Sequence, residues 1–130
     1  MIYTPDLNNG RNVFVFGSNE AGRHGKGAAL AAVKHWGAIY GQGVGLQGNA
    51  YAIPTKDAQL HTLPLEDIEV YIWEFRQIAR VQRRTFLITA IGCGLAGYTP
   101  EQIAPMFDHF PENCLLPPEF LAVLTKPTHP

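Results

Sequence analysis

Charge is scarce in this chain: Asp, Glu, Lys and Arg make up 16% of its 130 residues and nearly cancel, leaving a net charge of −1 at neutral pH. A near-neutral balance gives no basic field for nucleic acid or an anionic membrane surface, so general nucleic-acid binding is not expected. Cysteine is rarer still. Cys93 and Cys114 supply neither a disulfide framework nor the paired spacing of a metal site, and both thiols are expected to stay reduced. Apolar runs fall far short of the roughly 20 residues a membrane span needs. The opening Met1-Ile-Tyr-Thr-Pro-Asp6 lacks the charged and apolar regions of a signal peptide, which sets the expectation of a cytoplasmic protein. Neither a fixed-period repeat nor a low-complexity tract is visible.

What remains is the composition of one ordinary globular domain, with 46% hydrophobic residues. A chain of this length buries roughly two-thirds of its unfolded surface. Residues 1–124 are expected to form that domain, and residues 125–130, with two prolines, a frayed tail.

The richest signal is glycine placed after apolar, β-prone runs. Phe86-Leu-Ile-Thr-Ala-Ile91 leads into Gly92, Gly94 and Gly97, and Thr99-Pro-Glu-Gln102 then carries a capping box with proline at the first helical position. Earlier, Asn12-Val-Phe-Val-Phe16 reads as a short buried strand. It runs into Gly17-Ser-Asn-Glu-Ala-Gly-Arg-His-Gly-Lys-Gly27, four glycines in eleven residues, before an alanine-rich helix from about Ala28 to Trp36 closed by Gly37. Such loops either make turns or aim backbone N–H groups at an anion at a helix N-terminus. Two of them after two strands point to a ligand crevice at the carboxyl edge of a sheet.

Between them, Ala50–Ile53 reads as a central strand ended by Pro54. Leu65, Ile68, Tyr71, Ile72, Phe75, Ile78 and Ala79 recur at helical spacing from Pro64 to about Val81, with acids early and arginines late, as the helix dipole favours. Trp36 and Trp73 are assigned to the core. Pro105 predicts a short last helix, and Asn113–Phe120 a loop or edge strand. The order of strands and helices predicts an α/β fold with a mainly parallel or mixed sheet.

Several loop residues carry alternatives. Asn19 either bonds a ligand hydroxyl or caps its own loop. His24 and Glu20 are candidate acid–base groups, with Asp57 a further candidate base, and Arg23 a candidate phosphate partner. Lys56 faces either the crevice or solvent. Cys93 is either a nucleophile at a strand-to-helix turn or a small buried filler. Tyr98 either closes over the ligand or packs as a half-buried aromatic.

Four blocks in order, Val13-Phe-Val-Phe-Gly-Ser-Asn19, Gly22-Arg-His-Gly-Lys-Gly-Ala-Ala29, Gly48-Asn-Ala-Tyr-Ala-Ile-Pro54 and Ile91-Gly-Cys-Gly-Leu-Ala-Gly-Tyr98, resemble the macro domain, an ADP-ribose-binding module, over roughly residues 10 to 110. Within it they are most similar to small macro-like proteins of bacteria and their phages. The resemblance implies a single-domain, three-layer α/β/α fold around a mixed, mostly parallel sheet. It implies that ADP-ribose, a derivative of it or an ADP-ribosylated macromolecule is held by Gly17, Ser18, Asn19, Gly25, Gly27, Gly92, Cys93, Gly94, Leu95, Ala96, Gly97 and Tyr98. Asn19 would read the distal ribose, and Asp6 occupies the place of the acid that reads adenine. Hydrolysis of an ADP-ribosyl linkage would then fall to Asn19, His24 and Glu20. Non-catalytic sequestration of a cyclic derivative, or an interaction protein with a vestigial site, are the alternatives. Neither a cofactor nor a metal is expected. Phe16 stands where the family usually has Asn, and the paired glutamates of the glycohydrolase branch are missing.

Overall fold

The computed structural model describes residues 4–126 as one α/β unit. A five-stranded sheet runs in the order β2-β3-β1-β4-β5, with β1 Asn12–Asn19, β2 Gly45–Gln47, β3 Ala50–Lys56, β4 Thr85–Ile88 and β5 Cys114–Leu115. β3 and β4 flank β1 in parallel and β5 pairs in parallel with β4, while only the edge strand β2 is antiparallel. The helices are α1 Gly27–His35, α2 Leu65–Val81, α3 Pro100–Ile103 and α4 Pro118–Leu124. Of the expected tail, residues 127–130 lie outside the described residues, and Thr125 closes α4 with its N–H on the Leu121 carbonyl.

Alternation along the strands divides the core in two. Phe14, Phe16, Ala50, Ala52 and Leu87 turn to one face and pack with Ala29, Ala32 and Trp36 of the α1 region. Val13, Val15, Tyr51, Ile53, Phe86 and Ile88 turn to the other and meet Ile68, Ile72, Phe75 and Ala79 of α2 together with Ile103, Phe107 and Phe120. Both faces are covered, as parallel strands require. The chain passes from β1 through α1 to β3 on one side, then through α2 to β4 on the other. The sheet therefore reverses direction at β1, where open α/β sheets form their crevice outside the carboxyl ends.

Four expectations need correction. Pro54 does not end its strand. The Phe14 N–H bonds the Asn49 carbonyl, so odd residues of β3 face β1 and even ones face β2. Since β2 reaches only to Ala52, the donor missing at Pro54 leaves no ladder bond unmade. Trp73 is 60% exposed, because it lies one step around α2 from the buried Ile72, whereas Trp36 is buried as expected. Residues 113–120 are not simply loop or edge: Cys114 and Leu115 do form an edge strand, but Pro118 starts α4 and Phe120 is fully buried beneath it. Finally, Gly17, Ser18 and Asn19 belong to β1 rather than to a loop. Pro105 acts as its chemistry dictates: α3 stops at Ile103 and a 3-10 turn, Ala104–Phe107, takes over. Among the described residues no helix is long and apolar enough to cross a membrane.

A candidate anion crevice at the carboxyl edge of the sheet

A crevice of about 570 Å³ opens above β1, β3 and β4, a size in the range of small-molecule sites. Its floor is Gly17–Asn19, Thr55, Lys56 and residues 89–92, and its walls include Gly25–Ala29, Gly94–Ala96, Leu60, Arg23 and Glu119. The two glycine loops thus converge on one space. Gly17 and Gly92 lie back to back there: a Cβ on Gly17 would stand 3.7 Å from the Gly92 nitrogen.

The first wall ends in an uncapped helix. Lys26 is the N-cap of α1, in extended conformation, and no side chain bonds the helix start. The Lys26 carbonyl accepts from Leu30, which leaves the amides of Gly27, Ala28 and Ala29 without an intrahelical partner. These three residues line the crevice. In the second loop, Gly97 donates to the Gly94 carbonyl and Tyr98 to that of Gly92, folding the loop into a closed turn. Among the described residues the amides of Gly94, Leu95 and Ala96 make no hydrogen bond, and they too border the crevice. Arg23, Lys26 and Lys56 add positive charge, and none of them forms an ion pair among the described residues. Of the two alternatives for Lys56, it is among the residues that line the crevice. Free amides, a helix N-terminus and unpaired cations around one cavity favour an anionic ligand.

Behind the first loop, backbone lies directly on backbone. Gly22 and Gly43 admit no side chain, since a Cβ would fall 2.4 Å from the Gly41 carbonyl carbon and 2.1 Å from the Asn19 oxygen respectively. Hydrogen bonds from Gly41 N–H to the Gly22 carbonyl and from Ser18 Oγ to the Gly43 carbonyl fix the contact.

The structure separates the remaining candidates. Asn19 borders the crevice, but its carboxamide is engaged with the Arg23 backbone, donating at 3.0 Å and accepting at 2.9 Å. The loop-capping alternative is thus the one seen. His24 is only 1% exposed and lies outside the crevice lining, with Nε2 bonded to the Gln42 carbonyl at 2.8 Å and its ring edge-on to Phe16. Glu20 points away, accepting from the Tyr71 hydroxyl on α2, and this bond chiefly pushes Tyr71 up to about 12. Asp57 holds its own turn through the N–H groups of Gln59 and His61.

Cys93 packs toward the α2 side of the core, and burial chiefly, then Glu119 and Glu101, pushes its thiol up to about 11. That is the opposite of an activated nucleophile. Tyr98 donates to the Leu63 carbonyl at 2.6 Å and packs against the same core. Cys93, Gly97 and Tyr98 shape the loop from behind and do not line the crevice. The capping box is present, with Gln102 accepting from the Thr99 N–H at 2.9 Å, but α3 is a single turn outside the lining. Asp6 precedes β1 and lies in a segment whose Asn8 bonds the His35 carbonyl at the C-terminus of α1, the end opposite the crevice.

Five lining residues were not singled out by sequence reasoning: Thr55, Leu60, Thr89, Ala90 and Glu119. Pro117-Pro-Glu119 is itself a helix-start signal that could have placed α4.

No family model matches the chain, and no curated protein matches it at a significant level. Among solved structures it is similar to a protein of unknown function from Bacteroides thetaiotaomicron, at 20% identity and a TM-score of 0.56, over 82% of this chain and 85% of that one. A likeness at that identity is one of fold. The class is thus a single-domain α/β protein with a crevice at the switch point of an open sheet.

Proposed function

We propose that the protein binds ADP-ribose, or a nucleotide derived from it, in this crevice. The diphosphate would take the free amides at the start of α1 and those of Gly94–Ala96, with Arg23, Lys26 and Lys56 around it. One observation carries the reading: two sets of unbonded amides, one of them an uncapped helix N-terminus, border a single cation-lined cavity of ligand size. The macro-domain resemblance of the four sequence blocks supplies the ligand class. A thermal-shift and calorimetric comparison of ADP-ribose, its cyclic derivatives, ADP and AMP tests it. Ligand at about 100 times its dissociation constant adds ~2.7 kcal/mol of stability. Absence of a shift with every ADP-ribose compound would overturn the reading.

Binding without turnover is favoured over hydrolysis by the bonding of the catalytic candidates. Asn19 is tied to Arg23, Glu20 to Tyr71 and His24 to Gln42, each by a hydrogen bond that leaves it turned from or locked beside the crevice. Chromatography of the ligand after incubation decides: intact recovery supports sequestration, and a new product supports a hydrolase.

A further inference from the structure

Glu119 is the one carboxylate bordering the crevice among the described residues, and it sits in the first turn of α4. A site meant for any polyanion gains nothing from a negative charge on its rim. Yet Glu119 forms no ion pair with Arg23, Lys26 or Lys56 among the described residues, so opposite charges are held apart around open space. Its position beside the second loop is reflected in the Cys93 thiol, which burial first and the Glu119 carboxylate second push up.

We propose that Glu119 is a specificity-determining residue: it selects ligands that carry sugar hydroxyls next to their phosphate and rejects bare phosphates. A carboxylate accepts two O–H donors at once, which a ribose provides and an inorganic anion does not. Toward pyrophosphate the same group is purely repulsive. Specific sites commonly combine an attractive and a repulsive element, and here one side chain supplies both. The inference rests on the crevice being the anion site proposed above and names the chemistry that the site requires beside the anion.

Wild type, Glu119→Ala and Glu119→Gln are titrated calorimetrically with ADP-ribose, ribose 5-phosphate and inorganic pyrophosphate. Glu119 is exposed, so both variants should fold, which circular dichroism checks. In Glu119→Ala the two sugar phosphates should weaken by about ten- to a hundredfold, the range for a hydrogen bond to a charged group, while pyrophosphate tightens. Glu119→Gln should move both in the same directions by less. Parallel tightening of all three probes would make Glu119 a bystander charge and overturn the inference, as would three unchanged affinities. So would a wild type that takes pyrophosphate but neither sugar phosphate. A wild type that binds ribose 5-phosphate and pyrophosphate but not ADP-ribose would sink the nucleotide reading alone, because the selectivity of Glu119 is still read from the other two. Binding of none of the three would end both.

Discussion

The Asn19 carboxamide closes a two-way hydrogen-bonded ring with the backbone of Arg23, donating to its carbonyl and accepting from its N–H. The tip of the first glycine loop is thereby tied to the last residue of β1. Asn19→Ala should remove both bonds at ~1 kcal/mol each and loosen the loop that carries Arg23 and Lys26. ADP-ribose and ADP should therefore weaken together in calorimetry. A loss confined to ADP-ribose would instead mean that Asn19 reads the distal ribose directly.

Gly94 and Gly92 should respond in opposite ways. A Cβ on Gly94 meets open space, so Gly94→Val should leave the melting temperature nearly unchanged while filling the place of the anion. Gly92 has φ +80, and its Cβ would press on Ile103 at 3.1 Å, so Gly92→Ala should destabilise the fold itself. Retained ADP-ribose affinity in Gly94→Val would remove the second loop from the site.

Lys56→Gln tests the electrostatics. A unit charge near a ligand phosphate is worth about 1 kcal/mol in water and up to about 4 at a protein surface, so affinity for ADP-ribose should fall at least fivefold. The remaining affinity should also depend less on salt, because one screened attraction is gone. An unchanged salt dependence would place Lys56 outside the anion's reach.

Cys93 should be a slow nucleophile. With its thiol at about 11, alkylation at pH 8 should lag well behind a free cysteine and accelerate only as pH approaches that value. Cys93→Ser should keep ligand binding. Rapid labelling at neutral pH would reopen a covalent role.

The Tyr71–Glu20 bond yields a stability test of defined sign. The folded protein favours the neutral phenol, raising it from 10 to about 12 through the hydrogen bond to Glu20, with burial and nearby carboxylates adding to it. Its contribution is therefore complete below pH 10 and is lost as pH rises from 10 to about 12. In Glu20→Gln, tyrosinate absorbance at residue 71 should develop nearer pH 10, and wild type and variant should converge in urea stability above pH 12. Identical titrations would show that the bond does not govern Tyr71.

Much of this architecture was legible because it follows from local rules. Apolar, β-prone runs place β1, β3 and β4, period-3.6 patterning places α2, and the missing N–H of Pro105 ends α3. The convergence of the two loops followed from their both lying after parallel strands. Side-chain direction inside those loops was not legible. Whether Asn19 meets a ligand or Arg23, and whether Cys93 looks into the crevice or the core, depends on backbone torsions fixed by distant contacts such as Gly43 against Asn19. Pro54 misled because its lost donor matters only where a neighbouring strand exists, and the short reach of β2 is a tertiary fact. Glu119 arrives at the crevice from more than twenty residues beyond the second loop, a distance at which no local pattern speaks.

The alanines under α1 set a height. Ala29 and Ala32 are the residues this helix buries against Phe14, Phe16, Ala50 and Ala52, and their small size lets its axis lie low on the sheet. The amides of its first turn ride at that level, beside the ends of β1 and β3. Ala32→Val would act as a shim, lifting the helix and withdrawing three donors from a ligand that the new methyl groups never touch. On the proposed anion reading, the packing of this core face is thereby a setting of affinity.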